Sequence, residues 1–212
     1  MTELDHIAVV APDLETGNAW VRDVLGVSPL TGGKHPLMGT HNCLLRIGED
    51  VFLEVIAVDP TAPEPAVSRW FGLDDQASVQ RNWQSGRRLG TYVARCHDVA
   101  ATIGSQGGIF GQSTQQTRGD LVWTFGVRPD GALPLGGALP HVMDWGPRGA
   151  LAPYLKDFGL RLRELVVETP DPDAVHAGLD AIGMVRQPTI RRGPAVRLSA
   201  QIETPHGVRM LT

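Results

Sequence analysis

Cysteine, lysine and long apolar runs are scarce in this chain of 212 residues, and each scarcity excludes a class of protein. Two cysteines, Cys43 and Cys96, are too few for a disulfide scaffold or a Cys-rich zinc module, and we expect both to be buried free thiols. No apolar stretch approaches the ~20 residues of a membrane helix. Residues 1–10 lack the positively charged region of a signal peptide. We therefore expect a cytoplasmic protein that does not bind membranes.

The charge balance argues against a nucleic-acid partner. The chain has 19 Lys and Arg against 23 Asp and Glu, for a net charge of −4, and it contains no run of basic residues. Binding to a phosphate backbone needs clustered Lys or Arg. Apolar residues make up 42% of the chain, enough for a real core. The composition therefore predicts a globular protein that does not bind nucleic acid.

One pattern of apolar and turn residues occurs three times. Residues 4–13 are a short apolar stretch ending in Pro-Asp, and residues 14–25 place apolar side chains on one face of a helix before Gly26. The same order recurs over residues 89–108 and 162–183. Each predicted strand ends in an aspartate that can cap the following helix. These aspartates are Asp13, Asp98 and Asp171.

Short β-like stretches separated by Gly and Pro follow each helix. They are residues 40–47 with 51–58, 121–127 with 139–145, and 196–203 with 208–212. The chain thus predicts three β-α-β-β-β modules, residues 1–58, 88–145 and 160–212, the first two forming one domain over residues 1–145 and the third packing on it. Segment 59–87 joins the first two. We expect it to hold one short helix, with aromatic residues that either cover a site or only anchor a linker.

The first module opens with Leu-Asp-His-Ile-Ala and resembles the vicinal oxygen chelate superfamily, which includes glyoxalase I, the extradiol dioxygenases and the bleomycin-resistance proteins. Within it, residues 39–48, 52–57 and 135–145 are similar to the glyoxalase-like domain family. The resemblance implies an α+β fold in which paired modules curl into a partly open β-barrel around one cleft. It also implies metal ligands on the first and last strands of each paired module.

Carried over residue by residue, the resemblance assigns metal ligands to His6 and Glu54 in the first module. Pairing with the second module adds His141, whereas pairing with the third adds Glu164 instead. Neither pairing reaches four ligands. Imidazole and carboxylate donors suit Zn, Ni, Mn or Fe as the divalent ion and do not choose among them.

Other side chains around the expected cleft have candidate roles in catalysis and binding. His41 is a candidate catalytic base, with the capping of a turn as its alternative. Phe52, Trp123 and Trp145 are candidate substrate-binding residues that would form an aromatic wall, with ordinary strand packing as the alternative. The remaining histidines, His35 among them, are expected in loops or at the surface.

Three functions remain open at this point. One is a metal-dependent lyase, isomerase or dioxygenase acting on a small hydrophobic substrate with vicinal oxygens. The alternative is a metal-free protein that binds or sequesters a small molecule, and a third is a module array used for self-assembly. Because an odd number of modules leaves sheet edges to be covered, we also expect a homodimer.

Overall fold

The computed structural model describes residues 1–119 and 121–212, with only the backbone of Ser105. The first module has the predicted strand and helix at its start, followed by three strands. Its elements are β1 (Glu3–Val10), α1 (Leu14–Leu25), β2 (Leu30–His35), β3 (Thr40–Arg46) and β4 (Phe52–Val58). As predicted, α1 begins after Asp13, whose side chain accepts from the Thr16 amide, and ends at Gly26 with a φ of 75°.

The linker and the second module follow the expected order. The linker holds a single 3-10 turn (Trp70–Gly72) and the helix α2 (Gln76–Gln84). The second module comprises β5 (Leu89–Arg95), α3 (Val99–Ile103), α4 (Gly107–Phe110), β6 (Gln112–Arg118), β7 (Leu121–Val127) and β8 (His141–Asp144). Asp98 caps α3 by accepting from the Ala101 amide, as the sequence predicts.

The first two modules share one eight-stranded sheet, in the order β2-β3-β4-β1-β5-β8-β7-β6. In each module the first strand is parallel to the last, β1 with β4 and β5 with β8. The two halves join where β1 runs antiparallel to β5. The sheet curls until its edges, β2 and β6, approach one another. This partly open barrel confirms the predicted α+β fold.

The third module forms a separate four-stranded sheet. Its elements are β9 (Arg161–Thr169), α5 (Pro172–Ala181), β10 (Thr189–Arg192), β11 (Arg197–Thr204) and β12 (Gly207–Leu211). The strand order is β10-β9-β11-β12, so the first strand pairs in parallel with the second strand and does not pair with the last. The third module therefore repeats the order of elements but not the strand pairing of the first two.

The eight-stranded sheet has an apolar core on each face. On the convex face, side chains such as Ile7 and Val55 pack against α1, α3, α5 and the second sheet. On the concave face, Trp70 and Phe71 of the linker pack against the strands in a second cluster. The linker thus covers the concave face of the sheet, in line with the first of its two predicted roles. Trp83 packs elsewhere, against Trp20 of α1 with ring centroids 5.8 Å apart.

Two further expectations concern the thiols and the membrane. Cys43 and Cys96 are buried and free, as predicted. Among the described residues, none of the helices has the length and apolar content needed to cross a bilayer.

Candidate functional site

A small cavity lies on the concave face, between the shared sheet and the linker. About 40 Å³ of it is open to the centres of water molecules, which is room for a few waters or a small chemical group. The polar side chains that line it come from both modules. They are His6, His35, Asn42, Glu54 and Arg118. Modules one and two therefore pair around this cleft.

A β-bulge in β1 gives His6 its orientation. Leu4 pairs with Ala94 and His6 pairs with Val93, so Asp5 is one extra residue on the β1 side. Leu4 consequently packs in the convex core, while His6 faces the cavity. The sequence pattern predicts Leu4 and His6 on one face. That prediction is wrong because simple alternation does not include the bulge.

Asp5 holds His6 from inside the protein. Its carboxylate is fully buried, and one oxygen lies 2.7 Å from Nδ1 of His6. The other oxygen accepts a hydrogen bond of 2.9 Å from the indole N–H of Trp145. Because Nδ1 is engaged in this way, the ring turns its other nitrogen, Nε2, toward Glu54.

A second hydrogen-bond network holds Glu54. The side-chain amide of Asn42 donates to Oε1 of Glu54 at 2.5 Å. The backbone N–H of Gly33 donates to Oδ1 of Asn42 at 2.8 Å, which fixes the direction of that amide. The remaining oxygen, Oε2, lies 3.5 Å from Nε2 of His6, at the outer limit for a hydrogen bond. His6 is thus held by Asp5 and Glu54 by Asn42, and the free nitrogen of the one faces the free oxygen of the other at the cavity.

The two groups carry opposite charges at neutral pH. Burial alone would lower the pKa of His6, but the hydrogen bonds to Asp5 and Glu54 and their negative charges outweigh burial and raise the pKa to about 9. For Glu54, burial raises the pKa, but the interactions with His6 and Asn42 prevail and hold it below its usual value. The cavity therefore contains an imidazolium beside a carboxylate.

His35 is a cavity residue that the sequence analysis missed. It is buried, not at the surface, with Nδ1 3.0 Å from Oγ1 of Thr40 and Nε2 3.5 Å from Nδ2 of Asn42. Burial lowers its pKa to about 4, so the ring is neutral at pH 7. The sequence signal that could have indicated this part of the cleft is the pair Gly32–Gly33, since glycines inside a strand mark a bulge or a close approach.

The three predicted substrate-binding residues all line the cavity. The ring of Phe52 stacks on the imidazole of His6 with centroids 4.5 Å apart and planes at 22°. Trp123 and Trp145 lie side by side with centroids 5.8 Å apart. Because Trp145 also bonds Asp5, it has a structural contact in addition to its place in the cavity wall. Their contact with a substrate stays a prediction.

Two of the three predicted metal ligands face each other, and the third does not join them. His6 and Glu54 both line the cavity, whereas His141 does not. The ring of His141 is buried against Phe71 and Phe125, with centroids 4.8 Å and 5.5 Å away. Burial lowers its pKa to about 3, against a small opposing effect of the nearby backbone, so this ring is also neutral at pH 7.

The donor set does not fit a resident metal ion. The residue of β5 in register with His6 is the apolar Val93, and His141 of β8, in register beyond Val93, is buried against phenylalanine rings. Within residues 1–119 and 121–212, no three His, Cys, Asp or Glu side chains are grouped to hold a metal. Protein sites for such metals use three or more ligands. The metal at His6, Glu54 and His141 stays a prediction, and no chemistry is derived from it below.

His41 and Glu164 lie away from the cavity. His41, the predicted catalytic base, is on the face of β3 opposite to Asn42, and it does not line the cavity. Burial lowers its pKa. Glu164, the alternative ligand, lies on β9 of the second sheet and accepts hydrogen bonds from Thr189 and Gln201. Neither residue is brought to the site of His6.

Comparison with known proteins agrees with the observed fold. A hypothetical protein from Staphylococcus aureus aligns with a TM-score of 0.56 at 14% identity, covering 93% of this chain and 88% of that one. A methylmalonyl-CoA epimerase bound to methylmalonyl-CoA aligns at 0.43 and 18% identity, covering 71% and 98%. The epimerase from Mycobacterium tuberculosis aligns at 0.39 and 19%, covering 66% and 85%. At such identities the first of these shows the fold alone, and the other two carry no further argument.

Sequence comparison identifies the family. No curated protein sequence matches the chain at a significant level. Residues 4–183, however, match the model of the glyoxalase-like domain family, which confirms the resemblance drawn from the sequence. Since this match spans most of the chain, the protein belongs to the glyoxalase-like domain family.

Proposed function

We propose that this protein is an enzyme of the isomerase or lyase type that moves a proton on a small oxygenated substrate. The observation that supports it is the pair formed by His6 and Glu54, with Nε2 and Oε2 3.5 Å apart in the cavity on the concave face. Asp5 and Asn42 hold the two groups from behind. An acid and a base that face one gap, each fixed in orientation, form the arrangement that general acid–base catalysis needs.

In the proposed step, Oε2 of Glu54 takes a proton from a carbon next to a carbonyl group. The electron pair of the broken C–H bond forms a carbon–carbon double bond, and the carbonyl π electrons move to oxygen. Nε2–H of His6 donates to that oxygen and stabilises its negative charge. Return of the proton to a neighbouring atom gives an isomer, whereas loss of a leaving group from the next carbon gives elimination.

The environment of the pair favours this chemistry. Since His6 has a pKa of about 9, its imidazolium is a fixed positive charge at neutral pH. Such a charge acts strongly on a developing oxyanion in a site with little water. Phe52, Trp123 and Trp145 supply the apolar walls that exclude water. The small volume favours a substrate of a few heavy atoms, or only the reacting end of a larger one.

The test is proton exchange with solvent, which needs no knowledge of the natural substrate. Hydroxyacetone, dihydroxyacetone and 2-oxobutanoate are incubated with the protein in D₂O, and loss of the C–H signals beside the carbonyl is followed by proton NMR. We expect exchange faster than in buffer, lowered by about 10²- to 10⁴-fold in Glu54→Gln. The matched control is Glu49→Gln, in an exposed turn, which should exchange like the wild type. Exchange at the buffer rate for all probes would contradict the proposal.

A binding protein without turnover is the second candidate. It is favoured by the walls, because aromatic residues dominate the lining and the cavity is mostly apolar. In that case a ligand would raise the melting temperature with no effect of Glu54→Gln on proton exchange. The two candidates are thus separated by measuring ligand-induced thermal shifts and deuterium exchange on the same variants.

A further inference from the structure

We infer that Arg118 recognises a carboxylate on the substrate, so that the substrate class of the proposed reaction is a small 2-oxo or hydroxy acid. The inference rests on the proposed function, because it concerns the same cavity. Arg118 is the last residue of β6, and it lines the cavity together with His6 and Glu54. It is therefore a cation of the second module that faces the acid–base pair of the first.

The fold makes room for this side chain at the closing edge of the barrel. The guanidinium of Arg118 lies over Gly33 of β2, where a Cβ atom would come within 2.6 Å of Nη1 and 2.9 Å of Cζ. At the neighbouring position, a Cβ on Gly32 would come within 2.2 Å of Oδ1 of Asn42. Gly33 thus leaves space for the guanidinium of Arg118, and Gly32 leaves space for the side chain of Asn42, which holds Glu54.

The electrostatics of Arg118 differ from those of Arg69 and Arg95, whose side chains are also shielded from solvent. Arg69 is paired with Glu64, and Arg95 with Glu3. Arg118 makes no ion pair with a described residue, although burial and the like charge of Arg148 lower its pKa and the charge of Glu54 opposes them. A guanidinium fork that is half-buried at a cavity, with none of the described carboxylates paired to it, is suited to bind a carboxylate of a ligand through two parallel hydrogen bonds.

Charge balance favours a carboxylate over a phosphate. The charged side chains that line the cavity are His6 and Arg118, which are cationic at neutral pH, and Glu54, which is anionic; Asp5 lies behind His6, with Nη1 of Arg95 4.0 Å from its carboxylate. A ligand with one negative charge balances these three groups, whereas a phosphate dianion adds one more negative charge beside Glu54. The small volume also fits a carboxylate better. A 2-oxo acid placed on Arg118 would carry its carbonyl oxygen next to the carboxylate, toward His6.

The experiment uses pyruvate, its neutral amide pyruvamide, and inorganic phosphate as probes. Binding is followed by NMR on the indole N–H signals of Trp123 and Trp145, which line the cavity. For pyruvate, we expect saturable shifts in the wild type and an affinity at least about tenfold weaker in Arg118→Gln, since charge-assisted pairs are the strong ones. The matched control is Arg148→Gln, which removes a nearby positive charge without touching the cavity lining.

Each outcome bears on the inference. Weak pyruvamide binding that Arg118→Gln leaves unchanged supports it, and so does a weaker affinity in Gly33→Ala, where the new methyl group displaces the guanidinium. Pyruvate affinity equal in wild type and Arg118→Gln would overturn it, as would no shift for any probe. Phosphate binding tighter than pyruvate and dependent on Arg118 would overturn the carboxylate assignment.

The test separates this inference from the proposed reaction. Glu54→Gln removes the base but keeps Arg118, so pyruvate should still bind to it. If pyruvate binds through Arg118 but no proton exchange occurs, the reaction fails and the carboxylate site stands. If exchange depends on Glu54 while Arg118→Gln has no effect on pyruvate, the reaction stands and the carboxylate site fails.

Discussion

Nδ1 of His6 is hydrogen-bonded at 2.7 Å to the carboxylate of Asp5, the residue before it in the chain. In a regular strand, the side chains of consecutive residues point to opposite faces and do not meet. The bulge between Leu4 and His6 removes this restriction and lets both side chains serve the concave face. The orientation of the imidazole therefore depends on the backbone at Asp5, and the indole N–H of Trp145 holds the other oxygen of that carboxylate.

Replacement of Asp5 by Asn tests this relationship. The hydrogen bond to a carboxylate helps raise the pKa of His6 to about 9, while burial lowers it. We expect the pKa in Asp5→Asn to fall, because burial stays and the negative charge is lost. The pKa is measured by NMR titration of the His6 ring. The control is Glu3→Gln on the same strand, and an unchanged pKa in Asp5→Asn would contradict the assignment.

The backbone of Phe71 gives a second prediction. Phe71 has a φ of 59°, in the left-handed region, and its ring is buried over the cavity. Phe71→Ala should lower the free energy of unfolding by about 3–5 kcal/mol through lost packing. Phe71→Gly leaves the same void but relieves a strain of about 1–2 kcal/mol. We therefore expect the glycine variant to be at least as stable as the alanine variant in urea denaturation.

The control for Phe71 is Phe125, a buried phenylalanine of the same cluster in a β-strand. In a strand, glycine is less favourable than alanine by roughly 0.5–1 kcal/mol. Phe125→Gly should thus be less stable than Phe125→Ala, the opposite order to that at Phe71. The same order at both positions would show that the φ of Phe71 stores no strain.

The parts of the fold that the sequence predicted well are those whose pattern follows burial. The strand and helix that open each module have apolar periodicity and an aspartate cap, and the structure has all three. The second strand of each module, β2, β6 or β10, was not located from the sequence. All three lie at sheet edges, where one side of the strand has no neighbour. Edge strands are typically polar or charged, so they lack the apolar alternation that would reveal them.

Burial and strand pattern also explain which residues of the candidate site could be predicted from the sequence. Glu54 was predictable because a carboxylate in an apolar strand needs a partner if it is buried. His35 and Arg118 were not, because they lie on the polar edge strands β2 and β6 and enter the cavity only when the sheet curls. Asp5 escaped because its role depends on a bulge. Periodicity within one strand carries no information on curvature or on bulges.

Metal analysis tests the predicted metal site at His6, Glu54 and His141. Of the three predicted ligands, His6 and Glu54 line the cavity and His141 does not, so we expect untagged protein to hold less than one equivalent of Zn, Ni, Mn or Fe after purification. The melting temperature should also be insensitive to a chelator, since a tightly bound metal would stabilise the fold. Metal content is measured by elemental analysis, with His141→Gln as the matched variant. One equivalent of metal that is lost in that variant would restore the predicted three-ligand site.

The predicted homodimer can be tested at an edge of the four-stranded sheet. Edge strand β12 turns Val208 and Met210 outward, with 57% and 49% of their surface exposed. Exposed apolar side chains on a sheet edge favour pairing with another copy. We expect a dimer by light scattering and a monomer for the double variant Val208→Lys, Met210→Lys. Val185→Lys, an exposed position outside this edge, should stay dimeric, and a monomeric wild type would refute the prediction.

The dependence of stability on pH follows from two buried neutral histidines. Burial lowers the pKa of His35 to about 4 and that of His141 to about 3, each from 6.5. The unfolded chain therefore binds more protons than the folded chain as the pH falls below 6.5, and the free energy of unfolding decreases. For His35 the loss is about 3 kcal/mol once the pH is below 4. Glu54 favours the charged ring of His35, whereas Arg118, His41 and His6 oppose it.

His6 has the opposite effect on the pH dependence of stability. Its pKa is raised from 6.5 to about 9, so its stabilising effect is complete below 6.5 and is lost as the pH rises through 9. Between pH 6.5 and 4 the effect of His6 is constant, so urea denaturation in this range measures the groups that lower the stability in acid. Because Leu cannot take up a proton, we expect the free energy of unfolding of His141→Leu to fall less steeply with decreasing pH than that of the wild type. The difference in slope should correspond to the uptake of up to one proton on unfolding. The exposed His176→Gln serves as control, and equal slopes for wild type and His141→Leu would mean that His141 is already protonated, or accessible to water, in the folded protein.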